Sequence, residues 1–170
     1  MTAYVALLRA VNVGGTGKLP MTELKSMCET SGFTEVKTYI ASGNVVFKSA
    51  LSVEKVQGLL EAQLKAYAGK PVGVHVRSAH EMTAILAGNP FPRAAPNRTV
   101  AIFLFEPPPA DTIKKTVGWN GEEIILGLRG IYVHYGEGMG NSKLRIAAAS
   151  EGTARNMNTV AKLAAMAGEL

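Results

Sequence analysis

The sequence predicts an α+β fold of two ferredoxin-like (split β-α-β) halves with antiparallel sheets, and three observations support it. In residues 1–77, strand-like and helix-like segments follow one another in the order β-α-β-β-α-β, which defines that unit. Beyond the glycine- and proline-rich loop "GNPFPRAAPN", a similar but less complete series begins. With 47% hydrophobic and 18% charged residues, the chain can bury a core. We therefore expect a half with a connector helix at residues 1–88 and a truncated or rearranged second α+β half at residues 89–170.

The first half contains four predicted strands and two predicted helices. A strand over residues 3–10 precedes a helix from about Met21 to Thr30. The strand-like runs "EVKTYIA" and "NVVFK" are joined by "SGN", in which Gly43 and its neighbour tolerate the positive φ of a tight turn. Ser52 can cap the second helix, whose apolar residues, up to Tyr67, repeat at helical spacing. "VGVHVR" then alternates as a fourth strand, so two helices should cover one face of the sheet.

The second half follows a connector helix, which begins with a capping box formed by Ser78 and Glu81. "TVAIFLF" is a predicted strand, "PPADTIKKTV" a short helix, and "EEIILGL" with "IYVHY" a hairpin. "NSKLRIAAAS" is either helical or irregular, and "NMNTVAKLAAMA" is the final helix. This assignment leaves no segment for a fourth strand.

The stretch "NVGGTGKLP", which begins at Asn12, lies between a strand and a helix, the place where proteins often bind phosphate. It does not match the nucleotide-binding loop G-x-x-x-x-G-K-[ST], because Asn12 replaces the first glycine and Leu19 replaces the magnesium-binding hydroxyl. The dinucleotide pattern G-x-G-x-x-G also fails. We therefore do not expect this loop to support hydrolysis of a nucleoside triphosphate.

The same loop can still bind an anion without a metal. Gly14, Gly15 and the next glycine leave backbone N–H groups accessible, and Lys18 adds a positive charge. The topology should bring residues 12–18, 42–44 and 69–70 to one end of the first sheet. The alternative interpretation is a solvated loop with one exposed lysine.

Three stretches resemble the bacterial family catalogued as domain of unknown function 1697. They are "YVALLRAVNVGGTGKLPMTELKSMCETSGFTEVKTYIASGNVVF", "SKL" and "TARNMNTVAKL". Where the family motif usually reads LLRGINVGG, this chain has Ala10 and Val11 in place of Gly and Ile, and Met157 replaces a common aromatic residue. The resemblance implies a two-part α+β fold of ferredoxin-like subunits, and it implies no activity.

The resemblance and the loop together give a set of candidate ligand-binding residues: Arg9, Asn12, Gly14, Gly15, Lys18, Ser42, Asn44, Lys143, Arg155, Asn156 and Asn158. Cations, amides, hydroxyls and glycines bind anions and rarely transfer protons alone. Arg155 and Asn156 are expected to approach the loop from the second half. Structural roles compete: Asn44 can serve its turn, Asn156 or Asn158 can cap the last helix, and Arg9 can pair with a buried acid.

Other site chemistries have little support. The single cysteine, Cys28, is expected to be a buried thiol, and the three histidines lack metal-ligand spacing. We therefore expect no metal and no cofactor. No apolar run is long enough to span a membrane and no convincing signal peptide is present, so a cytoplasmic protein without membrane association is expected.

The net charge of +5 permits an anionic partner. His75 and Arg77, with Lys37 and Tyr39, could form a basic sheet face for nucleic acid, although aromatic residues are only 6% of the chain. The favoured function is binding of a phosphate-bearing ligand or nucleic-acid backbone through residues 12–18. The alternatives are an enzyme acting on a phosphorylated small molecule, or a pure protein-interaction or dimerisation domain, which could form a homodimer.

Overall fold

The structure is a computed structural model that describes residues 1–12 and 18–170. The described chain forms two compact units, Met1–Ala84 with Lys162–Leu170, and Ile85–Ala161, called the first and second units below. Each contains a four-stranded antiparallel sheet, which confirms the predicted α+β class of two ferredoxin-like halves. The predicted division into domains at residues 1–88 and 89–170 stays a prediction. No helix in the described ranges is long and apolar enough to cross a bilayer.

The first unit has its strands in the order β2-β3-β1-β4, as the split β-α-β unit requires. Its elements are β1 (Thr2–Leu8), α1 (Met21–Thr30), β2 (Thr34–Thr38), β3 (Asn44–Ser49), α2 (Val53–Ala68), β4 (Val74–Ser78) and the beginning of α3 (Ala79–Ala87).

One face of this sheet and the inner faces of α1 and α2 form a single hydrophobic core. Phe33 stacks on Phe47 with ring centroids 4.4 Å apart, and Leu24 and Leu60 bring the two helices into the same cluster. The predicted caps are confirmed: Ser52 Oγ accepts from the N–H of Lys55, and the Ser78 hydroxyl and Glu81 carboxylate cap each other's backbone N–H groups. Strong local patterns therefore fix the elements of this unit.

The second unit repeats the same strand order, β6-β7-β5-β8. Its strands and helices are the rest of α3, β5 (Thr99–Phe103), α4 (Thr112–Lys115), β6 (Glu123–Leu126), β7 (Gly130–His134), β8 (Thr153–Asn156) and the first residues of α5 (Met157–Gly168). The last residues of α5 belong to the first unit.

The expectation that the second half lacks a fourth strand was wrong. β8 pairs antiparallel with β5, with Ala101 opposite Arg155 and Phe103 opposite Thr153. The larger difference from the first unit lies between β7 and β8, where two short 3-10 turns, Gly136–Asn141 and Ala147–Ala149, take the place of a second long helix. Leu144 and residues near it pack on the sheet core there.

Gly43 places the β2–β3 hairpin directly against the end of β1. Its φ is +90°, and the Leu8 N–H donates to its carbonyl at 2.8 Å. A Cβ atom at this position would lie 2.6 Å from Val11 Cγ2 and 2.9 Å from Leu8 Cβ. Glycine is therefore required here for two reasons, the backbone conformation and the close approach.

Gly43→Ala should destabilise the fold more than Gly32→Ala, by about 1–3 kcal/mol in free energy of unfolding, because overpacking adds to the conformational cost. Gly32 is a matched control, since its φ is +88° and nothing lies within 4 Å of its added Cβ. Urea denaturation of both variants measures the difference. Equal losses of stability would contradict the close packing of the hairpin against β1.

Candidate functional site

The side-chain amide of Asn12 joins the segments that meet at one end of the first sheet. Its Nδ2 donates to the carbonyls of Leu19 and Ala41, both at 2.8 Å, and its Oδ1 accepts from the Leu19 N–H at 2.6 Å. Asn12 has a φ of +54°, a left-handed conformation that asparagine tolerates better than most residues. The asparagine that breaks the nucleotide-loop pattern thus has a structural role.

The β2–β3 hairpin is held by a second asparagine. Asn44 is fully buried, and its Nδ2 donates to the Tyr39 carbonyl and to Ser42 Oγ, both at 2.9 Å. This arrangement supports the structural alternative for Asn44 and Ser42, in which both serve the turn. Their role in ligand binding stays a prediction.

A cleft of 470 Å³ opens beside this end of the sheet and is lined by three cationic side chains. Arg9 follows β1, Lys18 precedes α1, and Lys70 follows α2, so three separate segments contribute one positive charge each. None of the described residues that line the cleft is acidic. The walls are otherwise mostly apolar: Ala10, Val11, Leu19, Leu64, Tyr67, Ala68, Pro71, Val72 and Gly73.

Where β1 ends and the cleft begins, the backbone is hydrogen-bonded to two neighbouring segments. The Arg9 N–H donates to the Gly73 carbonyl at 2.9 Å, and the preceding Leu8 N–H binds the hairpin. The stem of Arg9 lies close to Gly73, where an added Cβ would be 3.4 Å from Arg9 Cβ. Arg9 is exposed, and the alternative in which it pairs with a buried acid stays a prediction.

The predicted convergence of loops is therefore confirmed for the described residues. Asn12 and Lys18, the hairpin, and the turn after α2 lie at the same end of the first sheet. Gly14 and Gly15, the predicted anion-binding glycines, lie outside the described residues. The expected approach of Arg155 and Asn156 from the second unit stays a prediction.

Arg155 is buried in β8, with only 7% of its surface exposed. Its Nη1 donates to Thr153 Oγ1 at 2.6 Å and to the Ala154 carbonyl at 2.9 Å. Burial lowers the pKa of the guanidinium to about 10, which leaves it charged at neutral pH. These contacts within its own strand favour a structural role.

The residues that follow Arg155 begin the last helix. Asn156 Oδ1 accepts from the Thr159 N–H at 2.9 Å, which is the predicted cap of α5. Asn158 is exposed on the first turn. Neither position adds a described contact that points to a ligand.

The "SKL" stretch is anchored in the second unit by a buried carboxylate that sequence reasoning missed. The Ser142 hydroxyl donates to Glu122 Oε2 at 2.7 Å, and the Asn120 N–H donates to Glu122 Oε1. The hydrogen bond from Asn120, followed by that from Ser142, lowers the pKa of the Glu122 carboxyl. The side chain of Lys143 is exposed, so its ligand role rests on the motif alone.

The predicted nucleic-acid face of the first sheet was wrong for two of its residues, which lie on the edge strand β4. His75 and Arg77 are 0% and 2% exposed, so neither can reach a nucleic acid, whereas Lys37 is exposed.

Cys28 is buried as predicted, and burial, with a smaller effect of Glu29, raises the pKa of its thiol to about 12. A thiol with such a pKa is a poor nucleophile.

Comparisons with known proteins agree with this fold. The family described as "Protein of unknown function (DUF1697)" matches residues 1–132, while the "SKL" and "TARNMNTVAKL" motifs follow that region. The solved structure of the conserved bacterial protein SP0830 from Streptococcus pneumoniae is similar, with a TM-score of 0.80 and 25% identity over 98% of each chain. No curated protein matches the chain.

Glu122→Gln should reduce the loss of stability in acid. Because the pKa of Glu122 is lower in the folded protein, its contribution to stability is present above the unfolded value, about 4.3, and is lost as the pH falls through the folded value. Between about pH 5 and pH 3, wild type should lose more free energy of unfolding than Glu122→Gln.

Urea denaturation across this pH range makes the measurement, with Glu123→Gln as the control. Glu123 is the exposed neighbour of Glu122, and its variant should follow wild type. If Glu122→Gln and wild type lose stability in parallel, the carboxylate is not bound as described.

Proposed function

The chain belongs to the DUF1697 family of proteins of unknown function, and we propose that it binds a phosphate-bearing anion in the cleft of the first unit. The observation that carries this proposal is the meeting of Arg9, Lys18 and Lys70 in one cleft. Three like charges repel one another, and an anion between them would relieve that repulsion. Apolar walls strengthen the attraction, because they exclude part of the screening water.

The donors suit a phosphate group. The planar guanidinium of Arg9 can bind two oxygens of one phosphate, while the lysine ammonium groups act as compact point charges. All three are exposed and can be reached from solution. Hydrogen bonds to charged groups contribute about 1.5–3 kcal/mol each, and less where the side chain is exposed to solvent, so the proposal depends on all three cations together.

Binding is favoured over catalysis by the chemistry of the same cleft. Among its described lining residues there is no aspartate, glutamate, histidine or cysteine, the groups that most often transfer protons or attack substrates. An enzyme acting on a phosphorylated small molecule therefore remains the second interpretation. A cytoplasmic location is part of the proposal, and homodimer formation stays a prediction.

Lys18→Ala and Lys70→Ala should each weaken anion binding by about 1–3 kcal/mol, the usual cost of losing a charge-assisted hydrogen bond. Their free energies of unfolding should change by no more than about 0.5 kcal/mol, because both side chains are exposed. Calorimetric titration with phosphate, pyrophosphate and nucleotides measures the affinities.

Lys25→Ala is the matched control, since Lys25 is exposed on α1 of the same unit but does not line the cleft. If all three variants bind as tightly as wild type, the proposed site is wrong. A parallel anisotropy titration with oligonucleotides tests the nucleic-acid backbone as ligand, whose affinity should fall steeply with salt. No oligonucleotide binding at low salt would leave the small anion.

A further inference from the structure

We infer that the ligand of this cleft is a phosphate ester whose organic part is a planar ring, with the overall size of a mononucleotide. The inference rests on the proposed function and narrows it to a class of ligand. It depends on Tyr67, whose contribution to the cleft is separate from that of the three cations.

Tyr67 is poorly explained as a core residue. It lies in the last turn of α2 with 47% of its surface exposed, although its spacing from Leu64 places both on one face of the helix. Leu64 is buried and belongs to both the core and the cleft wall, whereas Tyr67 lines the cleft and stays accessible. An exposed aromatic side chain beside a cationic group is a surface on which a planar ligand can stack.

The size of the cleft also exceeds what an inorganic anion needs. Its 470 Å³ falls within the range of about 300–1,000 Å³ typical of small-molecule sites, and a bare phosphate ion would fill only a small part of it. Leu19, Leu64 and Val72 make the remaining wall apolar. A ligand with a charged group near the cations and an uncharged group against these walls would bury most of the cleft surface.

A ring fits this surface better than a flexible chain. Stacking of a base on an aromatic side chain raises affinity about 5-fold to 100-fold, and a rigid ring loses little conformational entropy on binding. The positive charges of Arg9 and Lys70 line the same cleft and can interact with the face of a bound ring as well as with its phosphate. An alkyl phosphate would gain only the burial of its apolar surface.

The test compares five phosphates on wild type, Tyr67→Leu and Tyr67→Phe. The probes are inorganic phosphate, ribose 5-phosphate, hexyl phosphate and the 5′-monophosphates of adenosine and uridine, titrated by calorimetry. Wild type should bind at least one nucleotide about 5-fold to 100-fold more tightly than ribose 5-phosphate, the range that stacking energies imply. Tyr67→Leu should remove most of that difference and leave ribose 5-phosphate binding within about twofold, since the phosphate contacts are intact.

Tyr67→Phe keeps the ring and should retain the preference for nucleotides. Circular dichroism melts of both variants establish that they fold, which is expected because the side chain is half exposed. If wild type binds ribose 5-phosphate and both nucleotides with equal affinity, and Lys70→Ala weakens all three, the inference of a planar ring is wrong and the anion site is supported. Tighter binding of hexyl phosphate than of either nucleotide would also contradict the inference of a planar ring. Failure of every phosphate to bind wild type would overturn the anion site and this inference together.

Discussion

The side-chain amide of Asn12 is the interaction on which the candidate site depends. It binds both backbone groups of Leu19 and the carbonyl of Ala41, so it ties the start of α1 and the hairpin to the end of β1. Leu19 follows Lys18 directly, and its two bonds therefore fix the backbone from which that lysine extends. The buried side chain of Leu19 also packs in the core of the first unit, so hydrogen bonding and packing hold the same segment.

The backbone that follows β1 is strained. Ala10 and Asn12 both have left-handed φ values, +55° and +54°, on either side of the buried Val11. A left-handed conformation costs an ordinary L-residue about 1–2 kcal/mol, and Ala10 stands where the usual family motif has glycine. Strained backbone is common at binding sites, where the surrounding structure enforces a geometry that ligand contacts require. The strain at Ala10 and the cationic cleft therefore lie at the same end of the sheet, where the binding site is proposed.

The sequence predicted the first unit well because its signals are local. Caps such as Ser78 with Glu81 and the alternation of β4 depend on neighbouring residues only. Strand direction alone then predicted that the loop after β1, the hairpin and the turn after α2 converge. β8 was missed because it is short and its buried positions hold Thr153 and Arg155, which give no hydrophobic alternation.

The other features that the sequence did not reveal are the exposure of individual side chains and one hydrogen bond between distant segments. Alternation shows that His75 and Arg77 share a face, but it cannot show that this face is buried. Helical spacing likewise places Tyr67 in the apolar series of α2, but it cannot show that its position in the last turn leaves it half exposed in the cleft. The link from Ser142 to Glu122 spans 20 residues and has no local pattern that could reveal it. Each of these features depends on contacts between segments distant in sequence.

The most direct test of the central claim is a crystal structure of the protein with tungstate, a tetrahedral oxyanion shaped like phosphate. Anomalous scattering from tungsten would locate the anion without ambiguity. We expect its strongest site in the cleft, with oxygens in hydrogen-bonding distance of Arg9 and at least one of Lys18 and Lys70. An unoccupied cleft at saturating tungstate, or a strongest site elsewhere on the molecule, would contradict the account.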